Sequence, residues 1–187
     1  ELQEKVKAIP YWYHRIELPG GIVTPGWAPI DAERYCIPKD LTGKRVLDIG
    51  AWDGYWTWEA LKRGASEVVA IDDFSDGLGA NVDRSRKWET FDLCREAFGF
   101  TLPVRTPSGR FIRWANANGQ QVMAYEVSVY DLTPEMFAGM FDVVFFFGTI
   151  YHLKHPLLAL ERIASVCGGS LYIETASLDE YSPYRGG

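Results

Sequence analysis

Residues 45 to 59, Arg-Val-Leu-Asp-Ile-Gly-Ala-Trp-Asp-Gly-Tyr-Trp-Thr-Trp-Glu, hold the residue types most suited to gripping a ligand. Val46, Leu47 and Ile49 form a short apolar run of the kind that fills a buried strand. Gly50 and Gly54 bracket a tight turn, and Tyr55 to Arg63 reads as a helix ending at Gly64. Glycines at such a turn let the backbone approach a ligand, while the helix start offers N–H groups. A second strand, Glu67 to Ile71, runs into Asp72 and Asp73. Asp72 stands 18 residues beyond Gly54, about where an acid that holds a ribose belongs in a nucleotide-binding sheet. Strand, turn, helix and acid come in the order such a site requires.

The remaining elements must hold this unit in place. Residues 1 to 10 suggest a short helix stopped by Pro10, and Tyr11 to Trp27 an extended arm with a small hairpin at Pro19-Gly20-Gly21. The arm precedes the core, so it is either a cover over the site or aromatic packing on its flank. We divide the chain into an arm at 1–43 and a ligand-binding core at 44–187. After a loop at Gly77 to Asn81, Val82 to Phe98 reads as a helix whose Trp88, Phe91, Cys94 and Phe98 make an apolar stripe. Residues 100 to 121 carry Pro103, Pro107, Gly109 and Gly119 and suggest an insertion, with a hairpin around Ser108-Gly109 acting as a lid or lying solvated on the surface.

A third strand is expected at Val122 to Val129, then a short helix from Thr133, with Thr133 as its cap. The fourth strand is Phe141 to Phe147, which Gly148-Thr149-Ile150-Tyr151-His152 leaves at its carboxyl end. Pro156 to Val166 reads as a helix with Leu157, Leu160, Ile163 and Ala164 on one face, and Gly168-Gly169 as its stop before a fifth strand at Ser170 to Thr175. Five strands with helices between them predict an α/β fold, a doubly wound, mostly parallel sheet with its ligand off the carboxyl ends.

Composition narrows the classes. The 187 residues are 47% hydrophobic and 24% charged, a globular balance that argues against disorder. A formal charge of −6 lacks the basic footprint of a nucleic-acid binder. Cys36, Cys94 and Cys167 are widely spaced and suit reduced thiols better than a disulfide frame or a zinc site. The opening Glu-Leu-Gln-Glu-Lys has no signal-peptide pattern and no apolar run reaches membrane length. A cytoplasmic protein with no membrane partner is therefore expected. His152 and His155 form a pair without a clear carboxylate partner, so no metal is assigned.

The glycine spacing separates ligands. A dinucleotide turn reads G-x-G-x-x-G, whereas this chain has Asp48-Ile49-Gly50-Ala51-Trp52-Asp53-Gly54. An acid two residues before the first glycine resembles class I S-adenosylmethionine (SAM) methyltransferases, whose turn reads D-x-G-x-G-x-G, with Trp52 here at the middle glycine. The pieces Trp12-Tyr13-His14, Gly21 to Gly26, Asp48 to Gly54 and Phe147 to Leu153 are similar to the subgroup around the wobble-uridine tRNA carboxymethyltransferases. The resemblance implies a Rossmann-like fold with SAM, or carboxylated SAM, as cofactor. It implies a cofactor site built from Tyr13, Asp48, Gly50, Ala51, Trp52, Gly54, Asp72, Asp73, Ser128, Val129, Phe147 and Gly148. Two further strands normally follow the fifth in this family. Their absence after Ser177 to Tyr181 suggests missing residues or a partner.

Methyl transfer needs alignment and removal of a proton from the acceptor. His152, after the fourth strand, is the candidate base, with Tyr151 and His14 as alternatives; His152 could equally be a histidine that leads a helix and bonds backbone. Imidazole, with an ordinary pKa of about 6.5, suits the task at neutral pH. The leading reading is a SAM-dependent methyltransferase acting on an oxygen of a small molecule. A tRNA-modifying enzyme and a non-catalytic SAM-binding domain stand beside it.

Overall fold

The structure is a computed structural model that describes residues 1–28, 30–75, 84–105 and 112–176. A short helix α1 (Leu2–Ala8) and a hairpin of β1 (Glu17–Leu18) and β2 (Ile22–Val23) form the arm. The core then runs β3 (Arg45–Ile49), α2 (Tyr55–Lys62), β4 (Glu67–Asp72), α3 (Glu89–Ala97), β5 (Leu102–Arg105), β6 (Ile112–Ala115), β7 (Gln121–Glu126), β8 (Phe141–Phe147), α4 (Pro156–Val166) and β9 (Cys167–Glu174).

The strands make one seven-stranded sheet in the order β5-β6-β7-β4-β3-β8-β9. The five strands from β7 to β9 are parallel, as expected. The inserted segment adds β5 and β6 antiparallel along the outer side of β7. Its strands therefore widen the sheet instead of covering the ligand end.

Side chains alternate between the two faces of each strand, and both faces are covered. Val46, Val68, Val122, Val143 and Phe145 pack toward α2, α3 and the arm, with Trp58, Phe91 and Cys94. Leu47, Val69, Met123, Val144 and Phe146 pack on the other face against Ala159, Ile163 and Val166 of α4. The stripe on α3 is thus core, as its spacing predicts.

Several boundaries differ from the sequence reading. The described part of the third helix starts at Glu89, because residues 85–88 form turns and Lys87 sits at φ 42°, outside helical backbone. The third parallel strand stops at Glu126, and Val129 opens a 3-10 turn (Val129–Asp131). Thr133 precedes a 3-10 turn without bonding its backbone; its hydroxyl bonds the Glu135 carboxylate instead. On α4 the buried face is Ala159, Ile163 and Val166, while Leu157 is 75% exposed and Ala164 is exposed. Small Ala159 lets the helix approach the sheet, and that turns the stripe away from Leu157.

Gly168 and Gly169 do not end the helix in a loop. They lie inside β9, which follows α4 directly, at a bulge where the register with β8 shifts between Phe141 and Val143. A Cβ on Gly169 would collide with the Asp142 carbonyl, which is the close approach that requires glycine there. The loop Gly77 to Asn81, the expected helix start at Val82, the hairpin tip Ser108-Gly109 and Ser177 to Tyr181 lie outside the described residues.

Candidate functional site

The carboxyl ends of β3, β4, β7, β8 and β9 converge on a cleft of about 360 Å³. That is within the range of small-molecule sites, roughly 300–1,000 Å³. The turn after β3 forms its floor. Gly50 has φ 74°, and a Cβ there would land on the Thr149 hydroxyl, so the two loops meet through the missing side chain. Thr149 is held in turn by donating its hydroxyl to the Phe147 carbonyl at 2.9 Å. Gly50 and Ala51 both donate their N–H to the Ile71 carbonyl, at 2.9 and 3.1 Å. These N–H groups fix the turn to β4 and do not face a ligand, contrary to the simple picture of a backbone cradle. Gly54, at φ 81°, caps α2 and packs so closely on Phe91 and Trp58 that a Cβ would not fit.

Asp72 ends β4 in the cleft wall. One carboxylate oxygen accepts the Trp52 N–H at 3.1 Å, and the other accepts Phe74 N–H at 2.8 Å and an Arg84 N–H at 3.2 Å. The Arg84 guanidinium also lies over the Trp52 ring, 3.6 Å from its centroid. Trp52, at the position of the middle glycine of the motif, has left-handed backbone at φ 47°, and its ring stacks on Tyr13 at 4.8 Å and 15°. It lines the cleft without filling it. For Asp73, burial raises the pKa, but hydrogen bonds from Ser75 and Ser128 together with the Arg84 charge outweigh it, and the net shift is downward.

Four of the residues expected at the cofactor do not line the cleft. Asp48 is buried beneath the turn, where it accepts the Thr57 hydroxyl at 2.6 Å, and burial pushes its pKa up to about 7. Ala51 is buried with its N–H on the Ile71 carbonyl, and Gly54 packs on Phe91 and Trp58. Ser128 turns its hydroxyl to Asp73, and its neighbours Val127 and Val129 line the cleft. Tyr13, Gly50, Trp52, Asp72, Asp73, Phe147 and Gly148 all line it.

The arm closes one side. Tyr13, His14, Trp27, Ala28 and Tyr35 contribute to the wall. What fastens them is Asp53, a residue that sequence reasoning passed over inside the glycine turn. Its carboxylate accepts the Tyr13 and His14 N–H groups at 2.7 and 2.8 Å on one oxygen and the Thr90 hydroxyl at 2.7 Å on the other. Burial raises its pKa to about 6, against the pull of those bonds.

At the far end, Phe147 packs on Trp56 and Tyr35, and Tyr151 and His152 stand exposed on a 3-10 turn with rings 4.3 Å apart. Glu174, at the carboxyl end of β9, also lines the cleft and accepts the Gly148 N–H at 3.0 Å. It too was missed, although an acid ending a parallel strand has the same positional signal as Asp72. Arg84 carried no such signal, because it falls inside what reads as a helix. His14 lines the wall but is a poor base: burial lowers its pKa to about 3, and its Nδ1 makes no hydrogen bond among the described residues. Burial raises the Tyr13 pKa to about 12, with smaller contributions from Tyr151, Tyr11, Tyr35 and Glu174. Among the described residues, no group of three or more His, Cys, Asp or Glu side chains is arranged to hold a metal ion.

A parallel sheet ordered about a central first strand, a glycine turn after that strand and an acid ending the next make a doubly wound, nucleotide-binding fold, the Rossmann-like architecture that class I SAM-dependent methyltransferases share. The chain belongs to the methyltransferase domain family, whose family model matches residues 28–185. It is 30% identical over 138 residues to the tRNA U34 carboxymethyltransferase of Ectopseudomonas mendocina, covering 73% of this chain and 33% of that protein. The same enzyme of Pseudomonas aeruginosa PAO1 is 31% identical over 146 residues, 76% of this chain and 35% of the relative. The chain thus spans about a third of these curated relatives. Among solved structures, the N-terminal domain of EvdMO1 in the presence of SAH and D-fucose aligns with a TM-score of 0.61 and 19% identity, over 92% of this chain and 62% of that one. That likeness is one of fold.

Proposed function

We propose that this chain binds SAM in the cleft and transfers its methyl group to an oxygen of a small-molecule acceptor. The observation that carries the reading is the convergence of Gly50, Asp72, Phe147, Gly148, Tyr151 and His152 on one cleft at the strands' carboxyl ends. The side chains fit the cofactor: Asp72 lies where a ribose is held in such sheets, Val127 and Val129 offer an apolar surface beside it, and Gly50 leaves room where its Cβ would intrude. When bound, SAM supplies an electrophilic methyl on a sulfonium. The chain's own part is to align the acceptor, exclude water with the Trp27 and Tyr35 side of the arm, and take the acceptor's proton.

His152 is the proposed base, with Tyr151 orienting the acceptor. His14 is assigned to the wall, because a buried imidazole held neutral gains little by accepting a proton. Asp48 is assigned beneath the turn, where it fixes the start of α2 through Thr57. Free thiols at Cys36, Cys94 and Cys167 suit a cytoplasmic setting, and no helix among the described residues is long and apolar enough to cross a membrane.

A second reading, tRNA modification, is favoured by the names of the curated relatives. Against it stands the formal charge of −6; a tRNA affinity falling steeply with salt would reverse the order. Calorimetric titration with SAM, its demethylated product SAH and NAD tests the cofactor, and mass spectrometry of candidate acceptors tests the chemistry. Preferential NAD binding would overturn the proposal. His152→Ala is expected to cut turnover with little change in SAM affinity, and unchanged turnover would remove His152 from the mechanism.

A further inference from the structure

We infer that the acceptor is an uncharged, hydroxyl-bearing ring, a phenol or a sugar, laid on the exposed indole of Trp27 at the cleft mouth. This inference rests on the methyltransferase reading and adds an acceptor class to it.

Trp27 differs from the cleft's other tryptophans. Trp52 and Trp56 are buried, whereas Trp27 lines the cleft while 62% exposed. An indole left in water has no packing reason to be held still, yet this one is held. Its Nε1–H donates to the Tyr11 hydroxyl at 2.8 Å, and its ring meets Tyr13 edge to face, with centroids 5.1 Å apart at 87°. The backbone on either side is fixed as well. Ala28 donates its N–H to the Tyr13 carbonyl at 3.0 Å, and a Cβ on Gly26 would collide with the His14 carbonyl. An aromatic surface set in place before a ligand arrives loses little entropy when a ring stacks on it.

The surroundings decide what kind of ring it takes. Tyr13, Tyr35 and Tyr151 line the same cleft. Burial raises the Tyr13 pKa, and Tyr151, Tyr11 and Tyr35 add to the rise, so their hydroxyls stand near that of Tyr13. A phenolic hydroxyl both donates and accepts, which suits the hydroxyls of an uncharged ring. Among the described lining residues Arg84 is the one Lys or Arg, and it is engaged by the Asp72 carboxylate at 3.2 Å and by the Trp52 ring. A phosphate or carboxylate on the acceptor would meet no other cation among those residues, and a charge that leaves water unpaired is costly. On such a ring a hydroxyl oxygen forms the new C–O bond as the methyl's bond to sulfur breaks. The electron pair stays on sulfur, giving SAH, and the hydroxyl's proton goes to His152.

The test is calorimetric titration of the full chain loaded with SAH. The probes are catechol and glucose, each beside the same ring bearing an anion, protocatechuate and glucose phosphate. The expected result is binding of catechol or glucose, whichever ring the cleft takes, with its anionic counterpart weaker by at least about tenfold. Trp27→Ala, at a largely exposed position that leaves the core untouched, is expected to weaken the bound ring by about tenfold with SAH affinity unchanged. Trp27→Phe, which keeps a ring but not the bond to Tyr11, should recover part of that loss. The inference is overturned if the anionic counterpart binds as tightly, if Trp27→Ala leaves ring binding unchanged, or if it weakens SAH as much as the ring. Binding of SAH with neither catechol nor glucose overturns the inference alone and leaves the methyltransferase reading standing. If SAH itself fails to bind, that reading falls first and takes this one with it.

Discussion

Removing the Asp53 carboxylate should loosen the arm far more than neutralising it. Asp53→Ala leaves the Tyr13 and His14 N–H groups without acceptors at a site where His14 and Asp53 are both buried. Each unsatisfied buried donor costs about 1–3 kcal/mol. Offsetting this, the substitution also removes a carboxylate whose pKa has risen from 3.8 to about 6, a desolvation cost of roughly 3 kcal/mol at neutral pH. That figure already contains the benefit of the bonds to Tyr13, His14 and Thr90. We therefore expect a net loss of up to about 3 kcal/mol for Asp53→Ala, a fall in Tm of up to roughly 12 °C for a chain of this size.

Asp53→Asn behaves differently. Its amide oxygen can accept both N–H groups, and its NH₂ can donate to the Thr90 hydroxyl, which then reverses its role. Weaker neutral bonds replace charged ones, but the buried charge is gone, so a change within about 1 kcal/mol is expected. Thermal denaturation of the two variants and hydrogen exchange at the Tyr13 and His14 amides measure the difference. If both variants melt with the unmodified chain and exchange at those amides is unaltered, Asp53 does not hold the arm and the reasoning is wrong.

Three further outcomes follow from the geometry. Asp48 has a folded pKa of about 7 against an ordinary 3.8, so its protonated form is favoured by folding. The stability this gives is complete below pH 4 and is lost as pH rises through 7, to about 4 kcal/mol. Asp48→Asn should accordingly raise Tm at pH 8 and have little effect at pH 4; a pH-independent difference between variant and parent would refute the burial argument. Gly50→Ala meets both a φ of 74° and the Thr149 hydroxyl, and is expected to weaken SAM binding at least about tenfold while lowering stability by about 1–3 kcal/mol; unchanged affinity in calorimetry would show that the two loops do not meet as described. Trp52→Ala removes the surface on which Tyr13 and Arg84 stack and should cost about 1–2 kcal/mol in denaturant unfolding. An unaltered midpoint would count against that sandwich.

The parallel core was legible because its signals are local. β3, β8 and α4 begin and end where apolar runs, Gly50, Gly148 and Pro156 mark them. The cleft residues at strand ends, Asp72, Phe147 and Gly148, could be read from the same rule. What escaped depends on contacts far apart in sequence. Asp53 looks like a turn residue until Tyr13 and His14 are brought to it from 40 and 39 positions away. Asp48 and Asp53 share one motif, yet the motif does not say which of them faces the turn's interior and which faces the arm. The insertion's strands were expected as a separate hairpin, since nothing in residues 102–115 announces that β6 will add to the edge of β7. Gly168 and Gly169 read as a stop because glycine pairs usually are one, and only the Asp142 carbonyl reveals why they sit in a strand.

That bulge has a consequence for how the chain tolerates changes of length. One surplus residue is stored between Cys167 and Ser170, opposite a single residue of β8. Shortening the glycine pair by one leaves Ser170 through Glu174 beside their present neighbours, so the acid stays at the cleft. Lengthening the strand between Ser170 and Glu174 by one has the opposite result: with a side-chain repeat of two, the acid rotates to the reverse side of the sheet. The glycine pair works as a slip joint, isolating the ligand end of β9 from indels on the helix side.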